Sequence, residues 1–438
     1  MEIASPMTDG IVSDWDATEK LWRYGLEDIL GAQVTEQPLL ITEQIWNTDE
    51  NRKKAMEVAF ESLDTPAFYI AKRPVCTLFA SGKGSGLVVD IGADIASVTP
   101  VLDGLTLFKT SKRSRHAGTY INKHIEALLK ASDFDLTPRY LVAARQTGLE
   151  PGEKATEYKK RSLLAPVTAS FHDFQVSRLI EEFKESMAQV QDTPYTDEAA
   201  SQAGTDVYSN RVFEFPDGSS VEYGSERFKV AEPLFKPRDF LLEGEELLEA
   251  PEVKEEDGDD DDNKDDSKEN GKDADSKDKE KGKASKGSKD KGQDGDKDKD
   301  KEKPTEKSAA TAAKELKALV YTDRTQGPFT TTGISDMIID AINSCDVDIR
   351  ANLANNVIIT GGTSLIQGFT DRVNEDLVHA LPGYKIRIHA PGNLIERKFS
   401  AWIGGSILAS LGTFHQLWIS KKEYEEVGVS KLLEKRFR

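Results

Sequence analysis

Two glycine turns carry the residues of this chain best suited to chemistry. The first is VIITGGTSLIQG, residues 357–368. It reads as a short buried strand (Val357, Ile358, Ile359), a two-glycine turn (Gly361, Gly362), two hydroxyls (Thr363, Ser364) and an amphipathic helix to about Leu381. A strand that turns through glycines onto a helix start leaves backbone N–H groups unpaired, and with the helix dipole these suit an anion. An ordinary tight turn fits the same residues, because Gly-Gly is a weak motif. The second is SGLVVDIGADIASV, residues 85–98. An apolar run (Leu87, Val88, Val89) ends at Asp90 and Gly92, and a second run returns from Ile95, which reads as a hairpin with a carboxylate at its turn. Such an acid can hold a metal ion, or water on that metal, against phosphate. It can equally bond its own backbone. Two such loops facing each other would clamp a nucleotide between two lobes.

The surrounding elements follow from periodicity. Residues 14–30 have helical apolar spacing (Ala17, Leu21, Tyr24) with Asp14 or Asp16 near the cap. Residues 38–43 and 68–71 read as strands, 51–63 as a helix burying Ala55, Val58 and Ala59, and 75–81 as a short helix. Residues 117–130, 174–190 and 333–343 read as helices, and 214–228 as a hairpin around Asp217-Gly218.

Composition narrows the class. With 438 residues, 37% of them apolar, the chain can build two domains with real cores. A net charge of −19 argues against a general nucleic-acid binder, which needs a basic face. Two cysteines (Cys76, Cys345), no signal peptide and no long apolar span fit a reducing, intracellular compartment and no membrane association. Residues 251–307 are a different material: 22 acids and 16 lysines, with Val253 the only large aliphatic side chain. They cannot bury enough surface to offset their chain entropy, so disorder is expected. The other 381 residues carry −13, so the fold is acidic in its own right. A helix at 309–320 closing this insert is also expected.

Several blocks resemble the actin family closely. They are GIVSDWDATEKLW (10–22), LFASGKGSGLVVDIG (78–92), DVDIR (346–350), ITGGTS and SAWIGGSILASLGTF (400–414), in the family's order. The long C-terminus is similar to the fourth class of nuclear actin-related proteins. The resemblance implies an α/β, two-lobed actin-like fold of duplicated ribonuclease H-like domains around a nucleotide cleft. It implies a small lobe from 6–80 and 400–438, an inner large-lobe part from 81–116 and 333–399, an outer part from 117–250, and an insert at 251–315. The match at the first residues already lies inside the family's pattern. The opening strands, the first phosphate loop and the mobile filament loop have no counterpart, so an incomplete gene sequence or an internal start is expected.

The resemblance also assigns residues. Nucleotide contacts fall on Asp90, Gly92, Glu182, Gly361, Gly362, Thr363 and Lys398, with Asp90 as the metal-side acid for ATP with Mg. The family's adenine-stacking aromatic corresponds to Ile366, which cannot stack. Its water-positioning glutamine corresponds to Arg73 and its histidine past the second phosphate loop to Ser97. Ala93 and Asp94 stand where actins have aspartate and glycine. Arginine only donates hydrogen bonds and cannot orient an attacking water as glutamine does, so hydrolysis is expected to be weak or absent. Phe79, Leu408, Leu411 and Leu417 correspond to a cleft that receives partner helices. Gly404 and Gly405 interrupt a helical pattern there, which close packing would compensate.

The implied function is a non-catalytic nuclear subunit of chromatin-remodelling and histone acetyltransferase complexes. It would pair with nuclear actin, dock a helicase-SANT-associated helix of a motor or scaffold, and contact histones or nucleosomes without forming a homopolymer. The insert, placed between residues 234–237 and 333–336, would obstruct a filament neighbour. It would either attract basic histones or be a tolerated solvated insertion. Lys159, Lys160 and Arg161 are too short a basic run to serve as an import signal. A filament-forming cytoskeletal ATPase is the alternative; a sugar kinase or chaperone ATPase shares the fold by analogy alone.

Overall fold

The computed structural model describes residues 2–132, 134–202, 208–242 and 329–437. The charged insert and the helix expected at 309–320 lie outside the described residues. Its roots do not: a Cβ on Gly333 would stand 1.7 Å from the Phe235 carbonyl oxygen, so the chain leaves and returns at one place.

Two sheets organise the rest. The large one has six strands. Leu105–Thr106 and Lys112–Ser114 pair with Ala96–Leu102, which runs antiparallel to Gly86–Ile91. Gly86–Ile91 lies parallel to Val357–Thr360, which in turn takes Ile388–His389. The two central strands are buried residue by residue, which is why they read as unbroken apolar runs rather than alternating ones. Helices Gly118–Ala131, Ala169–Met187, Ile334–Asn343 and Phe369–Ala380 supply the rest of that core, through Ile121, Ile125, Phe183, Met337, Ile338 and Val373. A buried ion pair braces it. Arg372, on Phe369–Ala380, donates Nη2 to Glu232 Oε1 at 3.0 Å and Nη1 to Oε2 at 3.1 Å, with both side chains about fully buried.

The small sheet has three strands in the order Ile419–Ser420, Ala67–Lys72, Leu39–Glu43. Its core is Met56, Phe60, Phe68, Ile70, Ile419 and Leu432, drawn from the two ends of the chain. Leu39–Glu43 pairs on one side alone; its other edge has no strand among the described residues. Thr48 caps the Asp49–Glu57 helix and Asp14 the Trp15–Arg23 helix, its carboxylate accepting from the Ala17 amide. Each of these helices ends in a π-helical turn, Tyr24–Ile29 and Val58–Ser62, which periodicity could not separate from plain helix.

The helix Leu394–Ser410 joins the two sheets. It is kinked at Phe399 (φ −118°, ψ 23°). Before the kink, Arg397 is buried against the 357–368 turn, donating Nη1 to the Ser364 carbonyl at 3.2 Å. Beyond it, the helix lies on Arg73–Ala80 so closely that a Cβ on Gly404 would fall 1.6 Å from the Cys76 carbonyl oxygen. Close packing is therefore what compensates the glycine pair expected to weaken this helix.

Candidate functional site

The two glycine loops do not face each other across two lobes. They stand side by side at the C-terminal ends of adjacent parallel strands, with Thr360 in register with Asp90. The expectation of opposed loops fails because residues 87–90 and 357–360 pair directly in one sheet. Crevices outside the carboxyl ends of parallel strands are the usual ligand position in α/β sheets, so a binding site survives the correction.

Close backbone approach ties the loops together. Gly361 has φ +95°, and a Cβ there would lie 2.2 Å from the Ile91 carbonyl oxygen, so the neighbouring strand is what excludes a side chain. Thr363 donates Oγ1 to the Gly92 carbonyl at 2.8 Å, and the Gly118 amide donates to the same oxygen at 3.1 Å. Gly362 is less crowded: the stem of Lys398 passes 3.5 Å from its Cβ position. Gly92, Gly361, Gly362, Thr363 and Lys398 are thus brought to one place, beside Asp90.

The 357–368 loop is not followed at once by the long helix expected to run to Leu381. Gly362–Leu365 is a 3-10 turn, and the α-helix Phe369–Ala380 starts after Gly368, which is left-handed at φ +85°. A Cβ on Gly368 would strike the Val190 carbonyl oxygen at 2.0 Å. The helix dipole therefore does not act at the turn, and the groups there that could meet an anion are local amides and Lys398.

Glu182 lies elsewhere. It accepts from Arg139 Nη2 at 2.5 Å and lines a cavity of about 790 Å³ with Arg139, Ser186 and Arg211. The acid that meets the loops is Glu185, one turn on, which accepts from Lys398 Nζ at 3.3 Å. On the same helix Lys184 donates to Asn122 Oδ1 at 2.8 Å, and burial holds its ammonium below the usual lysine range, partly offset by Glu181 and Glu185.

Asp90 is 7% exposed, and its strand neighbours in register are Thr360 and Ser97. Arg73, the first residue of the Arg73–Ala80 helix, places Nε 2.8 Å from Asp90 Oδ2. The N–H does not point along that line, so the contact is a charge pair rather than an aligned hydrogen bond. Asp90 Oδ1 is buried without a hydrogen-bond partner among the described residues. Asp94, the added carboxylate, is exposed and accepts from Thr119 Oγ1 at 2.8 Å.

Whether these residues suit the implied cofactor has two answers. The Gly362 and Thr363 amides and Lys398 suit a phosphate, whereas the Gly361 amide donates to the Arg397 carbonyl at 3.0 Å. A protein-held Mg fits poorly: it is bound through one or two carboxylates, Arg73 already neutralises Asp90, and Asp94, the other acid of the turn, is exposed and engaged by Thr119.

The residues matching the partner cleft sit on the Arg73–Ala80 helix (Phe79), at the end of Leu394–Ser410 (Leu408) and just beyond (Leu411, Leu417). Phe79 and Leu408 are half-buried, while Leu411 and Leu417 are exposed, so the latter two are not core residues. Cys76 and Cys345 are free and buried, and burial pushes the Cys76 thiol up to about 12. No described helix is long and apolar enough to cross a membrane.

Comparison with known proteins agrees with this geometry. The family model described as actin matches residues 1–438. Actin-related protein 4 of Yarrowia lipolytica is 40% identical over 436 residues, covering 100% of this chain and 80% of the relative. Actin-related protein 4 of Schizosaccharomyces pombe is 37% identical over 439 residues, covering 100% and 85%. A second protein of that yeast, the SWI/SNF and RSC complexes subunit arp42, is 33% identical over 441 residues, covering 99% and 84%. The α/β fold of two main sheets with flanking helices is thus an actin fold, and the chain belongs to the actin family.

Proposed function

We propose that this protein is a non-catalytic, nuclear actin-related subunit of chromatin-remodelling and histone acetyltransferase complexes. The observation that carries the reading is similarity along the whole chain to actin-related protein 4 of several fungi and to a relative named as a subunit of SWI/SNF and RSC complexes. In this reading the protein pairs with nuclear actin, docks a helicase-SANT-associated helix on Phe79, Leu408, Leu411 and Leu417, and contacts nucleosomes. ATP sits as a clasp between a small lobe (6–80, 400–438) and a large one, held by Gly361, Gly362, Thr363 and Lys398. The absence of turnover is supported by Arg73, a pure donor paired to Asp90 where the family places its water-positioning glutamine.

The test is purification of the endogenous protein from nuclear extract at high salt, with mass spectrometry of what co-elutes. Actin together with remodeller and acetyltransferase subunits in stoichiometric amounts is the expected result. A cytoplasmic protein that elutes alone or as polymer overturns the reading.

A further inference from the structure

The charges around the two loops point to something the family resemblance does not supply. Three acids beside the loops have partners from the protein itself: Asp90 has Arg73, Glu185 has Lys398, and Asp94 has the Thr119 hydroxyl. A divalent ion at a polyphosphate site does two things: it takes up charge, and it is held by one or two carboxylates. Here the carboxylate is occupied. Arg73 is itself the first residue of its helix, so the helix N-terminus adds further positive potential beside Asp90. A cation arriving at Asp90 would meet that arginine at close range in a low-dielectric pocket, where like-charge repulsion is strong. The orphaned Oδ1 of Asp90 is a single acceptor, with Arg73 already on the carboxylate's other oxygen. The Arg73 side chain is 35% exposed, and it makes no ion pair other than the one to Asp90 among the described residues, which leaves Nη donors for an incoming anion.

We infer that this site takes a nucleoside polyphosphate without a divalent metal, with Arg73 standing in for the ion. The inference rests on the cleft reading given under the proposed function. It concerns the counter-charge at the phosphates, and it is compatible with a free polyphosphate as well as a nucleotide.

Titration calorimetry on the full chain tests it, with ATP and with inorganic tripolyphosphate, each in millimolar Mg and in EDTA. For ATP the expected dissociation constants in Mg and in EDTA agree within about threefold, because the protein already supplies the charge. Arg73→Gln should weaken ATP binding in EDTA by roughly tenfold, the worth of a charge-assisted contact, and by less in Mg. Arg73→Lys should keep most of the metal independence. A wild-type protein that binds ATP in Mg and loses about tenfold or more in EDTA overturns this inference while leaving the cleft reading intact. Binding of neither ligand in either buffer overturns both. Equal affinity for ATP and tripolyphosphate supports the metal-free phosphate site and assigns no role to the base. The Mg–EDTA comparison needs no variant, so misfolding of Arg73→Gln does not rescue or sink the result.

Discussion

The large and small sheets carry the same kind of brace with different completeness. In the large sheet, Arg372 and Glu232 are paired two-to-two and both are sealed from water. In the small sheet, Glu43 is equally buried but shared: Arg52 reaches it at 2.9 Å, Lys72 also contacts it, and Asp49 holds the far end of Arg52. The strands differ likewise. Val357–Thr360 is covered on both faces and both edges, whereas Leu39–Glu43 is half-exposed and has one open edge. Asp376 also holds Arg372, at 3.1 Å from Nε, as Asp49 holds Arg52; the difference lies in the glutamates, Glu232 having one cationic partner among the described residues and Glu43 two that can replace each other.

The largest expected effect comes from breaking the closed brace. Arg372→Met leaves Glu232 buried and uncompensated, and should cost about 3–5 kcal/mol in denaturant unfolding. Arg52→Met should cost about 1–2 kcal/mol, because Lys72 remains to hold Glu43. Equal costs would show that the two braces are not different in kind. Next, Ile359→Ala in the closed strand should lose about 2–5 kcal/mol, whereas Ile41→Ala at the open edge should lose about 1 kcal/mol. If Ile41→Ala proves as costly as Ile359→Ala, the edge is covered in solution. The smallest effect sharpens the comparison at the large sheet's own rim. Burial, with Lys83 and Arg387 nearby, holds the His389 imidazole below its ordinary 6.5. The unfolded chain then binds the proton more tightly, so His389 contributes stability above pH 6.5 that is lost as pH falls from there towards its lower folded value. His389→Gln should flatten the stability profile between neutral and mildly acid pH, and an unchanged slope would assign that dependence to other groups.

What the sequence makes legible is local. Leu87, Val88, Val89 and Val357, Ile358, Ile359 announce buried strands because both faces of each are covered. Asp14 announces a helix start because a cap acts within three residues. Whether two loops oppose or adjoin depends on pairing between residues 270 positions apart, Val357 with Leu87, and no local pattern encodes that. The same limit hides the Arg73–Asp90 pair, in which a strand turn meets the start of a separate helix. Glu181, Glu182 and Glu185 share one helix within a turn or so, and only the packing of that helix decides that Glu185 reaches Lys398. Phe79, Leu408, Leu411 and Leu417 were matched to a partner cleft through the family resemblance alone, and the exposure of Leu411 and Leu417 was not legible in the sequence.

The edge of Leu39–Glu43 that no strand among the described residues pairs bears on how assembly is assayed. A strand edge without a partner can template sheet-to-sheet association of one chain on another. Material that pellets on ultracentrifugation of the purified chain is therefore ambiguous for this protein. An actin-type filament dissolves and re-forms with salt and nucleotide, while edge-paired aggregate raises thioflavin fluorescence and ignores both. A charged residue at the exposed position of that strand, Thr42→Lys, separates the two, because it disperses edge-paired material and leaves a true filament standing.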